Sequence, residues 1–137
     1  DTTNGLFKMY PPIRTEEDRL SLIDGLLSNV IDAIATDHAP HPENTKTVDF
    51  KSAARGVVGL ESAFPMLYSS GILSLEEIKR FMIKNPRKIL SEAGYEVKKS
   101  QINIWQPCDK EFTTKSKFNN SIFEKRNTKI EKVSQNV

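Results

Sequence analysis

Cysteine is almost missing from these 137 residues: Cys108 stands alone, so no disulfide can form within the chain. A lone thiol fits a reducing compartment, and the cytoplasm is the expected location. Long apolar runs are missing too. None approaches the roughly 18–20 residues that span a bilayer, so no membrane partner is expected. The opening Asp1-Thr2-Thr3-Asn4-Gly5 lacks the basic and then apolar pattern of a secretory signal, and none is expected. The net charge is only +2, too small to imply a nucleic-acid partner. From Cys108 onward the balance is more basic, with Lys110, Lys115, Lys117, Lys125, Arg126, Lys129 and Lys132 against four acids. Neither Gly-rich loops nor clustered aromatics accompany that charge, so the tail reads as a solvated surface. Histidine is scarce as well, and both copies, His38 and His41, fall in one short stretch.

What remains, at 37% hydrophobic and 28% charged, suits one ordinary domain with a real core. Phe7 and Met9 flank Lys8 in the alternation of a short strand, stopped by Pro11-Pro12. Thr15 can cap a helix whose first turn carries Glu16, Glu17 and Asp18, the sign that complements the helix dipole. Leu20, Ile23, Leu27 and Val30 follow at helical spacing and predict one buried face ending near Ser28-Asn29. Ile31 to Ala35 predicts a buried strand, although Asp32 interrupts it. A polar loop covers 42–55, and Gly56-Val57-Val58-Gly59 returns the backbone to the interior. A mostly buried helix is expected from Leu60 to Tyr68, with Pro65 in its first turn or at a kink. Ser74 and Glu77 form a capping-box pattern for a helix to about Ile83. Asn85-Pro86 predicts a second helix start, closed at Gly94. Gln101 to Trp105 alternates strictly, as a half-buried strand does. The organisation expected is an α/β segment over 1–95 and a small β-rich or irregular segment over 96–137.

The chemistry concentrates in Ala35-Thr36-Asp37-His38-Ala39-Pro40-His41, with Lys46 five residues on. An apolar run that stops at Thr-Asp-His reads as a strand emptying into a loop. In an α/β barrel, strand C-terminal ends are where catalytic residues project. An aspartate there often only caps or turns the chain. Three ionisable groups within five residues are not ordinary turn composition. A carboxylate and an imidazole at this spacing can ligate a metal or move protons. Asp37 is the leading candidate; His38 would point away from it in an extended chain and is assigned no role.

This stretch resembles the second signature of the dihydroorotases, in the amidohydrolase superfamily. Lys8-Met9-Tyr10-Pro11-Pro12-Ile13-Arg14 resembles that family's Lys-X-Asn-Pro-Pro-Leu-Arg. Gly56-Val57-Val58-Gly59-Leu60-Glu61 is similar to its Gly-Ile-Val-Gly-Leu-Glu, and Asn85-Pro86-Arg87-Lys88-Ile89-Leu90 to its Asn-Pro-Ala-X-Ile. Ser116-Lys117-Phe118-Asn119-Asn120-Ser121-Ile122-Phe123 resembles a segment near its C-terminus. The matches follow the family's order along nearly the whole chain. Allantoinases usually read Ser-Asp-His-Ser-Pro at the motif, so Ala39-Pro40-His41 favours dihydroorotase.

The resemblance implies the C-terminal part of a TIM-barrel, metal-dependent amidohydrolase domain with a small β-rich C-terminal appendage. It implies a zinc enzyme that reversibly closes N-carbamoyl-L-aspartate to L-dihydroorotate in pyrimidine synthesis. Asp37 would contact the metal and shuttle the proton between hydroxide and the ring amide. His41 and the backbone at Arg55 and Gly56 would hold substrate. Tyr10 stands where the family has a substrate-binding asparagine, and a phenol cannot present an amide's paired donor and acceptor. Arg55 replaces a more usual apolar residue. The family's His-X-His pair and its other zinc ligands have no counterpart here, since both histidines lie in the motif. A barrel takes about 250 residues, so the chain is expected to be the C-terminal part of a longer one, inactive by itself. A homodimer or a complex with aspartate carbamoyltransferase is the implied assembly. Two alternatives stay open: a non-catalytic dihydroorotase-like subunit supporting aspartate carbamoyltransferase, and an amidohydrolase of the allantoinase or hydantoinase type.

Overall fold

Thr15 begins helix α1, Glu16–Leu27, as its hydroxyl and the acidic first turn dictate. In the computed structural model, which describes residues 4–97, 105–111 and 127–132, the Thr15 side chain accepts from the Asp18 amide. The Asp18 carboxylate accepts in return from the Thr15 amide and hydroxyl. The hydroxyl contact is the main cause that holds the Asp18 carboxyl below its ordinary value. Residues 101–104 of the expected alternating strand lie outside the described residues. So do the Ser116 to Phe123 motif and Lys115, Lys117, Lys125 and Arg126 of the basic tail.

The apolar face expected on α1 is present in sequence but not covered. Leu20, Leu27 and Val30 are exposed and no residue of the helix is buried. Only Leu26 reaches the main apolar cluster, which the periodic set had left out. That cluster is Leu73, Ile78 and Phe81, with Ile34, Phe64, Leu67 and Met82 packed on it.

Helix α3 spans Ala63–Ser70, a few residues later than expected, with Pro65 buried in its first turn. A proline there gives up an N–H that has no partner within the helix. Ser74 and Glu77 form the expected capping box at the head of α4, Leu75–Lys79. The second helix start at Asn85-Pro86 is corrected. Asn85 has helical backbone angles, and α4 runs through a π turn, Arg80–Lys84, directly into α5, Asn85–Glu92. The widened turn is what admits Pro86 inside a continuous helix. The Asn85 amide bonds to the Arg80 carbonyl, five residues back. Pro86 would take the Phe81 carbonyl in the same pattern, but has no N–H to give. That carbonyl instead accepts from the Ile34 amide at 3.1 Å. The freed Asn85 side chain donates to the Asp32 carbonyl at 2.8 Å. One proline thereby docks the segment that leads to Asp37.

Two expected strands are also corrected. The strand expected at Phe7 to Met9 does not form: Phe7 ends a 3₁₀ turn, Gly5–Phe7, and Lys8 and Met9, like the extended residues 31–35, join no ladder among the described residues. A strand exists by pairing, and their bonds are single contacts to a helix or a loop. The 42–55 loop holds one helical turn, α2, Glu43–Lys46. Strand β1, Trp105–Glu111, pairs antiparallel with β2, Asn127–Lys132, in the register Trp105 to Lys132 and Glu111 to Asn127. The pairing is irregular between Pro107 and Lys110, as a residue without an N–H requires. The hairpin rests on α3: the Ser69 hydroxyl receives the Lys129 amide at 2.8 Å, and the Trp105 and Phe64 rings lie 4.8 Å apart.

Phe81 is fully buried at the centre of the cluster. Phe81→Ala is expected to destabilise the protein by about 3–5 kcal/mol, read as a lowered midpoint in urea unfolding with an unchanged slope.

Candidate active-site wall

The motif after Ala35 does not stay extended. Asp37 adopts φ +43°, left-handed backbone that a short polar residue tolerates better than a branched one. The turn leaves its carboxylate exposed and without a hydrogen bond or ion pair to any described residue. The same turn invalidates the reason for setting His38 aside. His38 Nδ1 accepts from the backbone amides of Gly59 and Leu60, at 3.2 and 3.1 Å. An imidazole nitrogen that accepts two N–H groups carries no proton, so His38 is neutral and protonated at Nε2. Its role is to tie the motif to the glycine loop.

Two further contacts close the same seam. The Ala39 amide donates to the Val57 carbonyl at 3.0 Å. His41 Nε2 lies 2.8 Å from the Arg55 carbonyl. A carbonyl only accepts, so His41 Nε2 is the protonated nitrogen and Nδ1 faces elsewhere. As a neutral ring, Nδ1 can accept; as a cation it can donate, which is what recognition of a carboxylate needs.

Gly56 is required at this seam. It has φ +127°, a region closed to side chains, and an added Cβ would lie 2.5 Å from the Ala39 Cβ and 3.1 Å from His41 Nε2. A positive φ and a close backbone approach both demand glycine here. Its amide donates to the Lys8 carbonyl at 3.0 Å, which brings the Lys8–Tyr10 segment alongside. Tyr10 is 73% exposed, and the Arg55 guanidinium carbon sits 5.9 Å from its ring centre, within cation–π range. The two departures from the family pattern are therefore neighbours.

Lys46 lies in the stretch whose sequence predicts a polar loop, 42–55. It is completely buried, and its Nζ donates to the carbonyls of Lys8, Ala54 and Gly56 at 2.8, 2.9 and 2.9 Å. Burial, and then the charge of Lys8, lowers its pKa from the ordinary lysine value. Its fixed distance from the motif was the available signal; composition alone marks a lysine as surface.

These elements bring Tyr10, His41, Arg55 and Gly56 together, with Asp37 on the adjoining turn. They do not complete a metal site. Among the described residues no three His, Cys, Asp or Glu side chains converge, whereas zinc takes three or four protein ligands. His38 Nδ1 and His41 Nε2 are committed to backbone groups. Of the motif's three ionisable groups, His38 has no lone pair left to ligate, whereas the open carboxylate of Asp37 and the Nδ1 of His41 each keep one.

The fold is that of part of an amidohydrolase barrel. The chain superposes on the L-hydantoinase (dihydropyrimidinase) of Arthrobacter aurescens with a TM-score of 0.74 at 26% identity, over 92% of this chain and 32% of that one. On the dihydroorotase of Campylobacter jejuni the TM-score is 0.71 at 19% identity, over 96% of this chain and 38% of that one, a likeness of fold. In sequence the chain is a relative of the dihydroorotases. It is 39% identical to the dihydroorotase of Ehrlichia chaffeensis over 93% of this chain and 31% of that protein. It is 50% identical to that of Bacillus subtilis over 58% of this chain and 20% of that protein. The chain spans about a third or less of the length of these curated relatives. No family model matches it. Among the described residues no helix is long and apolar enough to cross a membrane.

Two outcomes follow from the seam. Two-dimensional ¹H–¹⁵N spectra of the imidazoles are expected to show both histidines, at neutral pH, protonated at Nε2, with His38 lacking any proton on Nδ1. Gly56→Ala is expected to destabilise the protein by about 2 kcal/mol or more and to abolish the His41 Nε2–H signature in the same spectra.

Proposed function

We propose that this chain supplies one wall of a zinc dihydroorotase site, for the reversible closure of N-carbamoyl-L-aspartate to L-dihydroorotate. The observation that carries the reading is the open Asp37 carboxylate on a left-handed turn, beside a wall held together by His38, His41 and Gly56. Zinc would use Asp37 as one ligand and take the rest from protein beyond the described residues. Asp37 holds the proton that passes to or from the ring amide nitrogen. His41 binds substrate through the nitrogen not engaged by Arg55, and the Arg55–Gly56 backbone and Tyr10 border the same ligand. Residues 96–137 act as an appendage to the barrel segment. A homodimer, or a complex with aspartate carbamoyltransferase, is the assembly proposed, and the cytoplasm the location.

A second reading, a dihydroorotase-like subunit without catalysis, draws support from Tyr10, where a phenol stacked near Arg55 replaces an amide. The intact Asp37 and His41 favour the enzyme. A site for hydantoin or allantoin would sit on the same fold, and substrate preference separates it.

The test is an assay of the complete zinc-loaded protein on dihydroorotate, hydantoin and allantoin. Turnover of dihydroorotate alone is expected, and Asp37→Asn should lower kcat by about 10³-fold with KM little changed. No dihydroorotate turnover by the unmutated, zinc-loaded protein would overturn the enzymatic reading.

A further inference from the structure

We propose that Lys46 is a positioning residue for this site: its buried ammonium sets the geometry of the wall that His41, Arg55 and Gly56 present to substrate. The inference rests on the dihydroorotase reading above. Three observations lead to it. Lys46 is fully buried, and among the described residues no carboxylate pairs with it; its three N–H donors are matched by three carbonyls. A buried cation with no anion is costly and persists only where such hydrogen bonds compensate it.

Those carbonyls belong to residues bordering the wall. Ala54 and Gly56 flank Arg55, whose own carbonyl receives His41 Nε2–H. The third is the Lys8 carbonyl, which also accepts the Gly56 amide two residues before Tyr10. Lys46 sits at the end of α2, five residues after His41, so its backbone position is tied to the motif itself.

The surrounding contacts admit little adjustment. The Thr45 carbonyl takes the Ala54 amide at 2.9 Å, and Gly56 has no room for a Cβ against Ala39. Losing the ammonium would take one donor from each of three carbonyls, the Lys8 carbonyl keeping the Gly56 amide, and let the 54–56 strip move relative to His41. A methionine fills the volume but supplies no donor. An arginine keeps the charge, but its planar fork cannot converge on three carbonyls as a tetrahedral ammonium does.

The test uses the complete zinc-loaded protein and the variants Lys46→Met and Lys46→Arg, assayed on dihydroorotate and examined by imidazole ¹H–¹⁵N spectra. Both variants are expected to raise KM about tenfold or more, with kcat changed less than about threefold. The His41 Nε2–H signal should shift or disappear in both. A merely structural lysine would instead lower the active fraction, reducing apparent kcat at unchanged KM with the His41 signal in place; that result overturns the proposal. Should both variants fail to fold, the unmutated protein is decisive. With lysine labelled at Nζ, a slowly exchanging Lys46 ammonium signal is expected to move when dihydroorotate saturates the site, and a signal that stays put overturns the proposal. If the unmutated protein neither binds nor turns over dihydroorotate, the functional reading fails, and the positioning claim stands or falls on the His41 signal in the variants.

Discussion

The Lys46 ammonium is the contact on which the candidate site depends. Three carbonyls from two separate stretches, Lys8 on one side and Ala54 and Gly56 on the other, converge on it within 2.9 Å. Loop backbone carries polar groups that must find partners, and here a single side chain satisfies three of them in the interior. Regular pairing does not organise this region: its bonds are isolated, amide to carbonyl or amide to imidazole. A side chain with three donors replaces the ladder that a sheet would have provided.

Pro86 has a parallel role on the opposite side of Asp37. By withholding an N–H from the Phe81 carbonyl it leaves an acceptor on the helix flank, and Ile34 uses it. Asn85, no longer a cap, anchors Asp32. The segment that ends in Asp37 is thus held at residues 32 and 34 by a helix. Residues 38, 39 and 41 are held by the glycine loop. Asp37 lies between these two sets of anchors, on left-handed backbone, with its carboxylate free of them. Catalytic side chains need this combination of a fixed backbone and an uncommitted functional group.

The uneven distribution of burial bears on the same point. The described apolar cluster is small, and Leu20 and Leu27 of α1, with Val30 just beyond its end, face solvent. A periodic apolar face is written to be covered, and a chain spanning about a third of its relatives' length has only part of the surface that would cover it.

Much was legible in the sequence because it is governed by neighbouring residues. The caps at Thr15 and Ser74, Pro65 in a first turn and the close of the last helix near Gly94 are local, fixed by side chains within one helical turn of the backbone they satisfy. The family resemblance and the barrel class were legible for another reason: short motifs in a set order survive when their surroundings vary. The tertiary structure alone decided what depends on partners distant in the chain. Ile31 to Ala35 is a strand by composition, yet the described residues give it a helix to bond rather than another strand. His38 joins the motif to the glycine loop because Gly59 and Leu60 arrive with their amides toward it. Lys46 reads as surface by residue type, and lies buried because three carbonyls, up to 38 residues away in sequence, meet at its nitrogen.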